Sequence, residues 1–307
     1  MNTGLKITAY AAALAAAFGT AYGVGKSADP VLGTGSQHAG PAHPAPERRE
    51  KTGGEGHGGH QEGAGAVRRG GAAGGLEVSE GGYTLALRTP TLTAGTPGEI
   101  RFAIEDEHGA GLTDYRREHG KELHLVVASR DLTTYRHLHP VRSADGTWSA
   151  PVELPAAGGY RLFADFTPAG ERGTNRTLGA DLVVAGTFRP AGMPPVRAVA
   201  EVDGYRVALS GGLRAGRAGE LTLTVSRDGR PVTDLQPHLG AYGHLVALRS
   251  GDLAYLHVHP NEGGPGPEVS FTATAPSVGT YRLFLDFRHG GEVRTASFTV
   301  EVAAADH

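Results

Sequence analysis

The sequence predicts an all-β protein built mainly from two tandem β-sandwiches. From Leu76 onward, short apolar or alternating runs follow one another, each bounded by Gly, Pro or Asp. The series then restarts in the second half of the chain, with the same residue types in the same order. No long helical periodicity is present, and 48 glycines and 19 prolines supply turns at short intervals.

Taken in order, the first element is an N-terminal segment, residues 1–26. Ile7 to Gly25 is uncharged and rich in alanine, and Lys26 ends it. Such a run suits a secretory signal peptide or a membrane anchor helix, and its length favours a retained anchor that holds the chain outside the cytosol. Residues 27–75 are low in large apolar side chains and rich in Gly, Pro and His, including His57-Gly-Gly-His60. Too little apolar surface is available there to offset ordering entropy, so a disordered linker is expected, with weak metal capture as one use for its histidines.

Residues 76–187 form the first predicted sandwich. Its strands include Tyr83-Thr-Leu-Ala-Leu, Glu99-Ile-Arg-Phe-Ala-Ile, Leu123-His-Leu-Val-Val and Tyr160-Arg-Leu-Phe-Ala-Asp-Phe. Residues 188–197, with Pro194-Pro195, read as a stiff linker. Residues 198–303 repeat the pattern with Tyr205-Arg-Val-Ala-Leu, Glu220-Leu-Thr-Leu-Thr-Val, His244-Leu-Val-Ala-Leu and Tyr281-Arg-Leu-Phe-Leu-Asp-Phe. In the last-named strand of each repeat, period two puts Tyr160, Leu162 and Phe166 on the core face and the aspartate on the other.

The chemistry-bearing residues recur with the repeat. His124 is followed by Tyr135-Arg-His137-Leu-His139-Pro140 and then by Asp165. His244 is followed by Tyr255-Leu-His257-Val-His259-Pro260 and then by Asp286. Within one strand, side chains at i and i+2 share a face, so each His-x-His pair is able to offer two imidazoles to one ion. The third would arrive from the neighbouring strand through His124 or His244. The aspartate serves as a fourth ligand or as the group that orients a histidine. Two self-contained sites are therefore expected, one per repeat. The competing reading makes the same histidines structural, each ring nitrogen spent on a backbone carbonyl or on the aspartate. His119, His238 and His289 are weaker candidates.

These residues resemble a group of bacterial extracytoplasmic proteins, the YtkA-like and related heavy-metal-associated secreted β-sandwiches. The shared pattern is His124-Leu-Val-Val to His139-Pro140 and Gly159-Tyr160 to Phe166, and again His244-Leu-Val-Ala to His259-Pro260 and Gly279-Thr-Tyr281 to Phe287. The resemblance implies an immunoglobulin-like fold and an association with copper or other heavy metals.

Composition narrows the function. A formal net charge of −3 argues against a nucleic-acid partner. With no cysteine and two methionines, a thiolate or thioether site is excluded, and imidazole with carboxylate suits Cu(II) or Zn(II). No nucleophile and base stand together in the pattern, so catalysis is not expected. The leading expectation is a non-enzymatic, extracytoplasmic metal-binding protein. The alternative is an interaction module of two immunoglobulin-like domains that contacts a membrane protein and holds no metal.

Overall fold

The computed structural model describes residues 73–170 and 173–304, apart from the side chains of His257 and His259. The N-terminal segment 1–26 and nearly all of the tract 27–75 lie outside the described residues. Among those described, every regular element is a strand, and no helix is long and apolar enough to cross a membrane.

The first repeat contains β1 (Ser79–Glu80), β2 (Tyr83–Leu87), β3 (Thr91–Thr93), β4 (Gly98–Glu105), β5 (Tyr115–Arg116) and β6 (Leu123–Ser129). It continues with β7 (Tyr135–Leu138), β8 (Val141–Arg142), β9 (Thr147–Val152), β10 (Gly158–Pro168) and β11 (Arg176–Ala185). The second contains β12 (Val199–Val202), β13 (Tyr205–Gly211), β14 (Ala218–Arg227), β15 (Arg230–Pro231) and β16 (Gly243–Arg249). After these come β17 (Tyr255–His257), β18 (His259–Pro260), β19 (Glu268–Thr274), β20 (Gly279–His289) and β21 (Glu292–Val302).

Strand order is the same in both copies. One sheet runs β1-β2-β4-β9-β8 in the first repeat and β12-β13-β14-β19-β18 in the second. The facing sheet runs β11-β10-β6-β7, with β3 on its outer edge, and in the second repeat β21-β20-β16-β17. Each repeat is therefore a two-sheet sandwich with its own core. Leu125, Val127, Tyr160 and Leu162 lie in the first core, and Leu245, Ala247, Tyr281 and Leu283 in the second. The Tyr160 and Tyr281 hydroxyls each donate to the carbonyl four residues upstream, Ala156 at 2.8 Å and Ser277 at 3.1 Å. That bond pins the corner from which the long strand starts.

A third apolar cluster belongs to neither sandwich. Val126, Ala128, Leu132, Tyr135 and Phe163 of the first repeat pack on Val246, Leu248, Leu253, Tyr255 and Phe284 of the second. The contacts recur with partners exchanged. Tyr135 stacks on Phe284 at 4.1 Å between centroids, and Tyr255 packs on Phe163 at 5.3 Å. Such exchange is the mark of a two-fold, self-complementary interface, here formed within one chain. It buries the outer face of β6, β10, β16 and β20, so these strands are covered on both sides.

The segment leading into the first repeat crosses this interface. Tyr255 N–H donates to the Gly74 carbonyl and Gly75 N–H to that of Thr177, both at 2.8 Å. Arg161 closes the crossing by donating to the Gly75 and Leu76 carbonyls. Its counterpart Arg282 donates to the Leu132 carbonyl of the first repeat at 3.3 Å.

One expectation about the elements is corrected. The run Tyr135 to His139 is not a single strand, nor is Tyr255 to His259. β7 stays beside β6 and ends at Leu138, while β8 pairs with β9 in the opposite sheet. Likewise His257 is paired with Val246 of β16, but His259 with Thr272 of β19. The change of sheet falls between the two histidines, ahead of each proline, and Pro260 then lies on the edge strand β18, where a residue without an N–H is tolerated.

Candidate metal centre between the repeats

A tight turn precedes each first histidine. Glu118-His119-Gly120-Lys121 and His238-Leu239-Gly240-Ala241 both carry two central residues with positive φ, 49° and 75° in the first, 53° and 81° in the second. Each is closed by reciprocal backbone hydrogen bonds, and both are mirror-image hairpin turns that need glycine at the second central position. The turn aims a carbonyl at the following histidine. His124 Nε2–H donates to Glu118 O at 3.2 Å, and His244 Nε2–H to His238 O at 2.7 Å. A carbonyl only accepts, so the proton sits on Nε2 in each neutral ring and Nδ1 keeps a lone pair.

His137 is fixed the opposite way round. Its Nδ1–H donates to Asp286 Oδ2 at 2.8 Å, which leaves Nε2 as the nitrogen turned to the other rings. The two remaining nitrogens, His124 Nδ1 and His137 Nε2, face each other at 3.2 Å. Two nitrogens this close converge as two ligands to one ion do, or share one proton between them. His139 adds a third ring, whose Nε2 is buried without a hydrogen-bond partner. One ring nitrogen from each of the three lies within 4.8 Å of the others.

The spacing is that of ligands. Nitrogens about 2.0–2.1 Å from a tetrahedral ion would place ring centroids about 5 Å apart. The observed separations are 5.3 Å for His124–His137, 5.5 Å for His124–His139 and 4.9 Å for His137–His139. Burial is the main reason why His124 is held down to about 4 and His139 to about 3, with the neighbouring His137 adding to both. Burial also lowers His244 to about 4, against its bond to the His238 carbonyl. These rings stay neutral at physiological pH, the form that binds metal.

The structure redistributes the expected sites. Asp165 is in register with His124, but its Oδ1 accepts from Asn175 Nδ2 at 2.7 Å. The carboxylate bonded to the first trio is Asp286, from the other repeat, so the expectation of one aspartate per self-contained site does not hold. A search within one repeat would never find this pair, because 149 positions separate its members. His244 stands beside the first trio too, 6.4 Å from His124 and 6.2 Å from His137 between centroids. The side chains of His257 and His259 lie outside the described residues.

Sequence reasoning undervalued several neighbours. His119 packs edge-on against His244, and His238 lies 5.7 Å from His139. Tyr135 and Tyr255 were passed over, although Tyr-x-His places them on the histidine face. Both hydroxyls are buried, and burial with the opposite repeat's aspartate holds each well above the usual tyrosine value. Tyr255 bonds Asp165, whereas the Tyr135 hydroxyl lies near Asp286 without a bond of normal geometry. A cavity of about 30 Å³, lined by His119, His124, His137, His244, Asp165 and Tyr255 but not by His139, suits an ion or a water.

Fold and site together define a class: paired β-sandwiches that close on each other over a cluster of imidazoles. The chain belongs to the family described as Domain of unknown function (DUF8832), whose model matches residues 77–180 and again 200–304. The match shows one domain present twice and does not support the heavy-metal group of the YtkA-like resemblance; the β-sandwich which that resemblance implied is seen in the strands themselves. No curated protein matches the chain. Among solved structures, a DUF4426 family protein from Pseudomonas aeruginosa is 12% identical, over 35% of this chain and 95% of that one, with a TM-score of 0.28. The FdeC adhesin of Escherichia coli is 18% identical over 74% of this chain and 65% of that one, with a TM-score of 0.26. Invasin, an integrin-binding protein, is 15% identical over 73% and 39%, with a TM-score of 0.24.

Proposed function

We infer that the protein is a non-enzymatic, extracytoplasmic metal-binding protein that holds Cu(II) or Zn(II) on His124, His137 and His139. One observation carries this reading: two imidazoles, each with its far nitrogen already bonded, bring their remaining nitrogens to 3.2 Å beside a third ring whose Nε2 is buried without a hydrogen-bond partner. A cation shared by the three rings satisfies these nitrogens together, and burial lowers His124 and His139, which favours their neutral, ligating form. Imidazole donors suit both ions. The resemblance to heavy-metal-associated secreted proteins and the absence of cysteine agree with such a role outside the cytosol.

A second reading is an interaction module of two immunoglobulin-like domains with no metal. The repetition of one β-sandwich module supports it. The purified protein, stripped with chelator and titrated with Cu(II) or Zn(II), separates the two. At least one tight equivalent that disappears in a His137→Ala/His139→Ala variant supports the metal reading. Only weak binding, unchanged in that variant, returns the histidines to a structural role.

A further inference from the structure

We propose that the first-repeat trio binds metal only as part of a composite centre, in which Asp286 positions His137 and His244 supplies the fourth donor. The proposal rests on the metal reading above and adds that the second repeat is required for it.

The carboxylate comes first. Asp286 is buried, 4% exposed, and its two oxygens have separate tasks. Oδ2 accepts from His137 Nδ1–H at 2.8 Å, and Oδ1 from Thr295 Oγ1–H at 2.5 Å. The threonine lies opposite on β21, in register with Asp286, so the brace and the carboxylate both belong to the second repeat. A carboxylate behind a ligating imidazole fixes the ring's tautomer and raises its basicity. Here that carboxylate is reached only across the interface.

The fourth donor follows from the same strand pair. His244 is the register partner of Asp286, so it rises beside the carboxylate toward the trio. Its Nε2–H is committed to the His238 carbonyl, which leaves Nδ1 with the free lone pair. Its centroid is 6.4 Å from His124 and 6.2 Å from His137, about 1 Å beyond the tetrahedral spacing that the three other rings already meet. A shift of that size between packed repeats would bring His244 to ligand spacing from His124 and His137. Metal then bridges the repeats as well as occupying the site.

The test uses the full-length protein with Co(II) and Zn(II) as probes. Asp286→Asn keeps size and burial but loses the accepting charge. It is expected to weaken Zn(II) binding about 10–100-fold, the usual cost of losing such a carboxylate. His244→Ala should weaken Zn(II) and change the visible Co(II) spectrum from that of four imidazoles to that of three with an open position. Thr295→Val, which leaves the carboxylate in place, should cause a smaller loss and covers the case in which Asp286→Asn does not fold. If folded Asp286→Asn and His244→Ala proteins bind Zn(II) as the unaltered protein does, with its Co(II) spectrum, the composite centre is overturned while the metal reading stands. If the unaltered protein binds neither ion, the metal reading itself falls and the composite centre with it.

Discussion

His137 shows how much of this site is decided one residue at a time. Its ring is carried by one repeat and oriented by the other, through a single hydrogen bond to Asp286. Neutral buried rings also imply a dependence on pH. The folded values of about 4, 3 and 4 for His124, His139 and His244 lie below the ordinary 6.5. The unfolded chain therefore binds more protons between pH 6.5 and about 4, and stability must fall as pH drops through that window. Urea titrations of the metal-free protein should show a falling midpoint from pH 7 to pH 4.5, and a flat midpoint would mean that the rings are not held neutral. The tyrosines give a contrast. Tyr135→Phe removes a buried hydroxyl that lacks a normal bond, so thermal melting should be unchanged or slightly higher. Tyr255→Phe removes a bond to Asp165 and should cost about 1 kcal/mol. At this scale the sequence showed the histidines and aspartates through their repetition. It concealed the pairing of His137 with Asp286, because an exchange between repeats leaves the spacing within each unchanged.

Strands β10 and β20 carry the design at the level of elements. Alternation identified their core faces, and Tyr160, Leu162 and Phe166 are indeed buried in the first sandwich. The opposite face, with Arg161 and Asp165 or Arg282 and Asp286, has the polarity of a solvent face but is buried by the sister repeat. Phe163 and Phe284 were the legible hint, since a large aromatic between two charged residues has little reason to face water. The strand end at Leu138, ahead of His139, was not legible, because a period-two reading continues straight through it. Two substitutions on β20 separate the faces. Phe287→Ala empties the second core and should cost about 3–5 kcal/mol, unfolding that repeat preferentially. Phe284→Ala removes the ring stacked on Tyr135 and should leave both sandwiches folded but uncoupled. In denaturant this variant is expected to unfold in two steps, and one unchanged step would deny that the third cluster couples the repeats.

For the whole molecule, the interface is that of a two-fold dimer whose subunits happen to share a chain. The repeats form one compact unit, and apolar contacts exchanged between equivalent residues hold them together. A linker would then serve to raise the local concentration of two surfaces that already fit each other, rather than to hold them in place. The connection supports this: Phe188 and Val196 are exposed at 60% and 57%, and Met193 alone packs against the shared cluster. A protease site inserted after Arg189 would cut an exposed stretch without touching either sandwich. The nicked protein is expected to elute as one species of unchanged size, since each half would otherwise expose Phe163 or Phe284 and the apolar strands around it. Dilution of the nicked, metal-free protein should eventually separate the halves, and Zn(II) should shift that dissociation to lower concentration, because an ion held by both repeats binds only the associated state. Halves that part immediately on cleavage would show that covalent connection, not surface complementarity, keeps the repeats together. Halves that stay associated with no response to Zn(II) would place the interface among structural contacts and take the ion away from it.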